Sequence, residues 1–305
     1  MFKLSIIIPS YNTACLTLKC LKRVFSVFDK ILMEVIVIDN ASSDNSISAI
    51  GKHFPKIKII ANPENRGFAF AVNQGIKIAR GEYVLLLNTD AFINKSLLPA
   101  LNFLDNRKKA ATLAPRLVFP GGRLHANFGR YPSLFNEFLE LTFLYKILPW
   151  GRATMPNLWT RKKFYRTQKV KWLSGTCLFI RHSTFKKIGF FDEKYFMYLE
   201  DIDFGKRICK AGLENIFFAQ SQIIHYHHGS SAGSIKPWIY SRNSLLYFWK
   251  KHYPKQMIRF YIINLMSWIK LRIKIICNPP NPRGLGGTLD SLAFQGREGE
   301  GYKLQ

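Results

Sequence analysis

Five consecutive residues, Tyr83-Val84-Leu85-Leu86-Leu87, are apolar or aromatic, lying between Arg80-Gly81 and the polar triplet Asn88-Thr89-Asp90. A run this short with no polar face fits a strand covered on both sides, as in a parallel sheet. Similar runs at residues 4–8, 34–38 and 57–61 alternate with helical patterns at residues 15–28, 43–52, 68–79 and 96–106. That alternation predicts an α/β fold with a mostly parallel, doubly wound sheet flanked by helices. Ligands of such sheets bind beyond the carboxyl ends of the strands. The polar residues after each run are therefore the candidate site.

Pro9-Ser10-Tyr11-Asn12 follows the first run, and its aromatic ring is suited to stack on a base. Asp39-Asn40-Ala41-Ser42-Ser43-Asp44 follows the second. Here Asp39 reads as an acceptor for a nucleoside, with Ser43 or Asp44 left to cap the next helix. The turn-rich stretch Asn62-Pro63-Glu64-Asn65-Arg66-Gly67 puts Gly67 at a helix N-terminus that can face phosphate. Asp90 can hold a divalent cation, and through it a diphosphate, or can simply cap the helix beginning near Lys95. No phosphate loop and no GxGxxG fingerprint is present, which argues against ordinary NTPase and dehydrogenase chemistry.

Together, Ile6-Ile7-Ile8-Pro9-Ser10-Tyr11-Asn12, Val37-Ile38-Asp39-Asn40-Ala41-Ser42-Ser43-Asp44, Asn65-Arg66-Gly67-Phe68 with Asn73-Gln74-Gly75, and Leu87-Asn88-Thr89-Asp90 resemble the family 2 inverting glycosyltransferases. The sequence is similar to their rhamnosyltransferase-like branch over about residues 4–250. The resemblance implies a GT-A (Rossmann-like) fold and a donor nucleotide bound by Pro9, Tyr11, Asn12, Asp39, Asn65, Arg66, Gly67, Asn88 and Thr89. It also implies a divalent cation, Mg2+ or Mn2+, on Asp90, the last acid of a D-x-D-type motif. Asn88 stands where the strict motif has Asp. One carboxylate fewer implies a weaker metal site, completed by the nucleotide diphosphate and a histidine.

Between residues 108 and 170 the pattern thins to a strand at 111–115 and hairpin-turn residues at 119–124. Residues 130–168 mix aromatics, Pro and basic residues, and read as an acceptor-side segment. Residues 172–181 are rich in β formers and read as a strand-pair region. Next come Ile188-Gly189-Phe190-Phe191-Asp192-Glu193 and Tyr198-Leu199-Glu200-Asp201-Ile202-Asp203. Three acids in four positions after an aromatic cluster are costly to leave unpaired near a core. A helix N-terminus accommodates Glu200 and Asp203, and Asp203 can pair with Arg207 one turn on.

The family pattern G-x-F-D-E…Y-x-E-D-x-D matches this stretch almost throughout. By that resemblance Asp201 is the general base and Glu200 its catalytic neighbour, with Trp172, Gly175, Asp203 and His228 on the acceptor and sugar side. Crowding of like charges would raise one of the acid pKa values. In His225-Tyr226-His227-His228, strand alternation points His225 and His227 to one side. The family's H-x-x-G-x-S-type segment assigns the metal histidine to His225 first and His228 second.

Net charge is +26, from 45 Lys and Arg against 19 Asp and Glu. Such an excess points to anionic partners: nucleic acid, acidic lipid or nucleotide diphosphate. No nucleic-acid module signature accompanies it, so nucleic acid is not expected. Residues 236–277 are aromatic and basic, forming a C-terminal helical extension. Arg259, Asn264, Lys270, Arg272 and Lys274 argue against a spanning helix at 257–277. They favour an interfacial amphipathic helix on an anionic membrane, or a helix packed on the domain with a solvated basic face.

The expected organisation is a catalytic domain at 1–235, with a nucleotide-sugar half to about 110 and an acceptor half beyond. The helical, membrane-associating segment at 236–277 and a disordered tail at 278–305 follow. Five scattered cysteines and the lack of a signal peptide suggest the cytoplasm, peripherally at the inner membrane face. The implied reaction moves a sugar, rhamnose from dTDP-rhamnose first, onto a saccharide or lipid-linked saccharide during cell-surface polysaccharide synthesis. The rival is a non-catalytic basic module binding nucleic acid or anionic membrane, which would tolerate loss of Asp90 or Asp201.

Overall fold

The four apolar runs are strands that pair as parallel neighbours. They are β1 (Leu4–Ser10), β2 (Met33–Asp39), β3 (Lys58–Ala61) and β4 (Tyr83–Leu87), in the order β3-β2-β1-β4. Helices α1 (Ala14–Val27), α2 (Ser46–His53), α3 (Phe68–Ile78) and α4 (Leu98–Asp105) alternate with them. The computed structural model describes residues 2–29, 31–142, 144, 147, 161–226 and 236–277. His227, His228 and the tail at 278–305 lie outside the described residues.

Beyond β4 the sheet becomes mixed. It adds β5 (Ala91–Phe92), β6 (Ala110–Val118), β7 (Leu124–His125), β8 (Gln168–Val170), β9 (Cys177–Arg181) and β10 (Glu214–His225). β9 runs antiparallel between β4 and β6, with Leu87 opposite Cys177 and Leu113 opposite Phe179. β10 is parallel to β6 and carries β5 and β8 antiparallel. Gly121 and Gly122, at φ 87° and 83°, turn the β6–β7 hairpin with a backbone conformation that other residues rarely adopt.

One expectation is corrected. Residues 172–176 form a loop ahead of β9, leaving 177–181 as the strand in that region. Within that loop Leu173 makes an isolated antiparallel bridge to Phe128, through the bond from the Ser174 amide to the Asn127 carbonyl at 2.8 Å, and Ser174 Oγ and Thr176 Oγ1 lie 2.9 Å apart before β9 begins.

Both faces of the sheet are covered. Ile6, Leu85, Leu87 and Phe179 pack with residues of α1 and α4 on one side. Ile7, Ile36, Leu86 and Ile180 pack on the other with α3, α6 (Ser183–Ile188) and α7 (Glu200–Lys210). Burial on two faces is why these strands read as unbroken apolar runs. Helices α5 (Leu134–Thr142), α8 (Lys236–His252) and α9 (Met257–Cys277) follow in the second half. A smaller cluster, in which Trp249 stacks on Phe260 at 5.1 Å, ties α8 to α9 and to Leu199 just before α7. Among the described residues no helix is long and apolar enough to cross a membrane.

Candidate active site

The carboxyl ends of β1, β2 and β4 open into a cleft of about 200 Å3, lined among others by Pro9, Tyr11, Asn40, Asn65, Phe68, Asn88, Thr89 and Asp90. Asp39, next to Asn40, is fully buried. Its Oδ2 accepts the Ser42 amide at 2.8 Å, while Oδ1 is buried without a partner. An orphaned carboxylate oxygen is costly, and Oδ1 leaves Asp39 one acceptor position open beside the cleft-lining Asn40. Capping falls to Asp44, which accepts the amides of Ser46 at 3.0 Å and Ala14 at 3.1 Å, and so anchors the starts of α2 and α1.

Asn12, at φ 53°, sits outside the cleft lining. It accepts the Ser43 amide at 2.7 Å and donates its own amide to Ser42 at 2.8 Å, clamping the β1 and β2 loops together. Arg66 likewise does not line the cleft; its guanidinium lies 3.8 Å from the centre of the Phe70 ring.

Gly67 differs from the expected phosphate cradle. Its amide donates to Asn65 Oδ1 at 3.0 Å, and the next amide, Phe68, donates to the Phe196 carbonyl at 2.8 Å. Both donors are satisfied within the chain. At φ 90° the residue lies so close to Phe196 that an added Cβ would run into its carbonyl oxygen. Gly67 therefore serves close packing of the segment that leads to Asp201.

Antiparallel pairing puts His225 of β10 opposite Ala91, beside Asp90. Asp90 Oδ1 lies 3.3 Å from His225 Nε2. His225 Nδ1 lies 2.9 Å from His125 Nδ1 on β7, with the two rings stacked at 4.9 Å and 4°. One nitrogen of that close pair must carry the hydrogen. With the hydrogen on His225 Nδ1, its Nε2 keeps a lone pair for a cation, the usual arrangement of a ligating imidazole. Sequence reading missed His125. Its strand has two residues, and the signal that could have found it is the Gly121-Gly122 turn folding it back onto β6.

Asp90 does not cap α4; Ser96 Oγ accepts the Leu98 amide there. Among the described residues no three His, Cys, Asp or Glu side chains gather as a metal cluster. Asp90 and His225, beside the buried and unpartnered Asn88 Oδ1, supply a sparse donor set. That set fits Mg2+ or Mn2+, which keep several positions for phosphate oxygens and water.

The three acids open α7. Tyr198 and Leu199, at φ 70° and 65°, precede them. Two successive left-handed residues other than glycine cost roughly 1–2 kcal/mol each, strain of the kind found at functional sites. Asp201 Oδ1 accepts the Ile202 amide at 2.8 Å and Oδ2 the Gly175 amide at 3.2 Å. Burial pushes its carboxyl up to about 6, with these amides restraining the rise. Burial, and secondly the Asp201 charge, push Glu200 well above the carboxylate range, and its Oε2 is buried without a partner.

Asp203 goes the other way. Burial opposes its ionisation, but hydrogen bonds from His252 and Lys251, each at 2.7 Å, and the Arg207 guanidinium at 2.8 Å hold it below its usual range. With its oxygens so engaged, Asp203 braces α7 against α8. Trp172 also braces: its Nε1 donates to the Arg130 carbonyl at 2.9 Å, and its backbone packs on Gly205 of α7. Gly175 joins the two halves of the site. It donates to Asp201 and lies against the ring of cleft-lining Phe68, while the adjacent Thr176 carbonyl accepts the Asn88 amide at 2.9 Å.

Residues 5–201 match the family model described as Glycosyl transferase family 2. The chain is a family 2 glycosyltransferase. The transferase is 30% identical over 220 residues to N-acetylglucosaminyl-diphospho-decaprenol L-rhamnosyltransferase of Mycobacterium tuberculosis, covering 66% of this chain and 68% of that protein. It is 26% identical over 202 residues to Rhamnosyltransferase WbbL of Escherichia coli, covering 64% and 73%. Its fold resembles that of the mannosyltransferase PcManGT from Pyrobaculum calidifontis, solved in complex with GDP-Man and Mn2+. There the TM-score is 0.54 at 18% identity, covering 87% of this chain and 69% of the other.

A larger cavity of about 420 Å3 lies near the amino-terminal end of β10, lined by Arg107, Arg166 and Lys169 among others. Arg107 and Lys169 are both paired with Glu214. No carboxylate lines this cavity, whereas Asp90 lines the smaller cleft and Asp201, outside that lining, is bonded to Gly175, whose neighbour Thr176 takes the amide of cleft-lining Asn88.

Proposed function

We propose that the transferase moves a sugar, with rhamnose from dTDP-rhamnose as first candidate, in a single inverting displacement. The acceptor is a saccharide or lipid-linked saccharide at the cytoplasmic membrane face, in cell-surface polysaccharide synthesis. The names of the rhamnosyltransferase relatives support rhamnose as the sugar.

The observation that carries the reading is Asp201: a carboxylate with a pKa raised to about 6, fixed by two backbone amides and linked to the nucleotide cleft. At neutral pH it is ionised and can take the acceptor hydroxyl proton as that oxygen attacks the anomeric carbon and the nucleoside diphosphate departs from the opposite face. Burial and the neighbouring Asp201 charge both disfavour ionisation of Glu200 beside the base. The free Oδ1 of Asp39 accepts an N–H of the base, and Tyr11 stacks on it. Asp90 and His225 would hold Mg2+ or Mn2+, which when bound stabilises negative charge on the leaving diphosphate.

Asp201→Asn tests this directly. Transfer should fall by ~10^3-fold or more, the scale of a lost general base, while calorimetric affinity for the donor nucleotide stays within a few-fold. Retained turnover removes the base assignment. Among sugar nucleotides tested with Mn2+, dTDP-rhamnose should give the largest thermal shift; a larger shift with a UDP-sugar overturns the donor choice.

A further inference from the structure

We propose that the outer face of α9 is a membrane-binding surface that seats the transferase on an anionic lipid monolayer. Ile258, Leu265 and Ile262 are 79%, 62% and 59% exposed, and Tyr261, Met266 and Ile269 are exposed with them. The spacing 258, 261, 262, 265, 266, 269 is that of a single stripe along three turns of helix. The helix has already used its other apolar face: Phe260 is fully buried against Trp249 of α8. A helix with one packed and one open apolar face has an unfilled contact, and soluble monomers rarely leave such patches open.

Charge selects the occupant. Residues 236–277 contain nine Lys and Arg and no Asp or Glu. Lys255 and Arg259 are exposed beside the stripe. A second copy docking through the same face would bring two strongly basic surfaces together, a repulsive arrangement. An anionic lipid surface supplies the complementary charge, and each base near it strengthens binding. Since no described helix can cross a bilayer, α9 lies in the interface plane with its apolar stripe among the acyl chains.

The position suits a lipid-borne acceptor. α8 lies between α9 and the cleft: it packs on α9 through Trp249, and its Ser244 Oγ donates at 2.8 Å to the carbonyl of Met197, a cleft-lining residue. The lipid face is thus one helix away from the cleft. The surface gives the lipid-linked acceptor of the proposed function a physical route and rests on that reading for its purpose alone, because vesicle binding requires neither donor nor acceptor.

The test is co-sedimentation of the full chain with vesicles of phosphatidylcholine and phosphatidylglycerol, against vesicles of phosphatidylcholine alone. Binding should prefer the anionic vesicles, weaken with salt, and fall roughly a hundredfold in the Ile258→Glu, Leu265→Glu double variant. Lys255→Glu with Arg259→Glu should lose about tenfold, mainly on anionic vesicles. All four positions are exposed, so unchanged circular dichroism and turnover on a soluble acceptor should accompany the loss. Undiminished vesicle binding by the Glu variants overturns the proposal. So does a concentration-dependent dimer in the ultracentrifuge that the Glu variants abolish, since that assigns the stripe to a second copy. Failure of the Asp201 test leaves this result standing, and the reverse also holds.

Discussion

Glu200, Asp201 and Asp203 share one helical turn yet occupy three protonation regimes, because each meets a different environment. Asp203 has three hydrogen-bonding partners, Lys251, His252 and Arg207, Asp201 has two amides, and Glu200 Oε2 has none. The folded Asp201 pKa of about 6 lies above its ordinary value near 4, so the folded state holds that proton more tightly than the unfolded chain. Two consequences follow in opposite directions. Transfer should rise with pH through about 6 and then level, whereas the Asp201 contribution to stability falls as pH rises from about 4 to 6. Asp201→Asn should therefore abolish transfer and raise stability at pH 7 by on the order of 1 kcal/mol, measured by urea unfolding. His125 makes a separate prediction: His125→Ala should weaken Mn2+ binding about tenfold, read by electron paramagnetic resonance with the nucleotide absent. The places of Asp90, just beyond β4, and Asp201, at the start of α7, were legible because an unbroken apolar run precedes the one and a helix-opening acid cluster holds the other. His125 was not, since its role depends on a hairpin bringing it across from β10.

The strands and helices of the first half were legible to within a few residues, as burial on both sheet faces leaves no polar interruption in β1, β2 or β4. The errors fell where a long-range partner decides. Local pattern marks Gly67 as a helix start, but only the fold brings in Phe196, whose carbonyl takes the Phe68 amide and excludes a side chain at Gly67. Gly67→Ala should cost about 2–4 kcal/mol through left-handed strain and the clash together. Because Phe68 and Met197 both line the cleft, the same change should weaken donor binding. A Gly67→Ala variant with wild-type urea midpoint and nucleotide affinity would remove the packing role. Residues 172–176 have β-forming composition, but Leu173 makes only an isolated bridge to Phe128 before the chain enters β9.

Helix α8 is tied to α7, and so to the catalytic domain, through one buried charge. Asp203 is fully buried in α7, and two of its three hydrogen-bonding partners, Lys251 and His252, come from the end of α8. The sequence displayed Arg207 one turn away but gave no sign of the partners from α8, because nothing local links position 203 to 251. Removing partners from a buried charge costs more than the pair itself is worth, typically 3–5 kcal/mol. Lys251→Met combined with His252→Phe should thus destabilise the fold by about 3 kcal/mol and loosen α8 and α9 before the sheet. The pH sign follows from the lowered folded pKa of Asp203. Its contribution is fully present above its unfolded value near 4 and is lost as pH falls toward the folded one. Amide exchange across residues 236–277 should accordingly accelerate on acidification below about pH 4, ahead of exchange in β1 and β4. Uniform acceleration of helices and sheet together would show that the link through Asp203 does not govern how this segment is held.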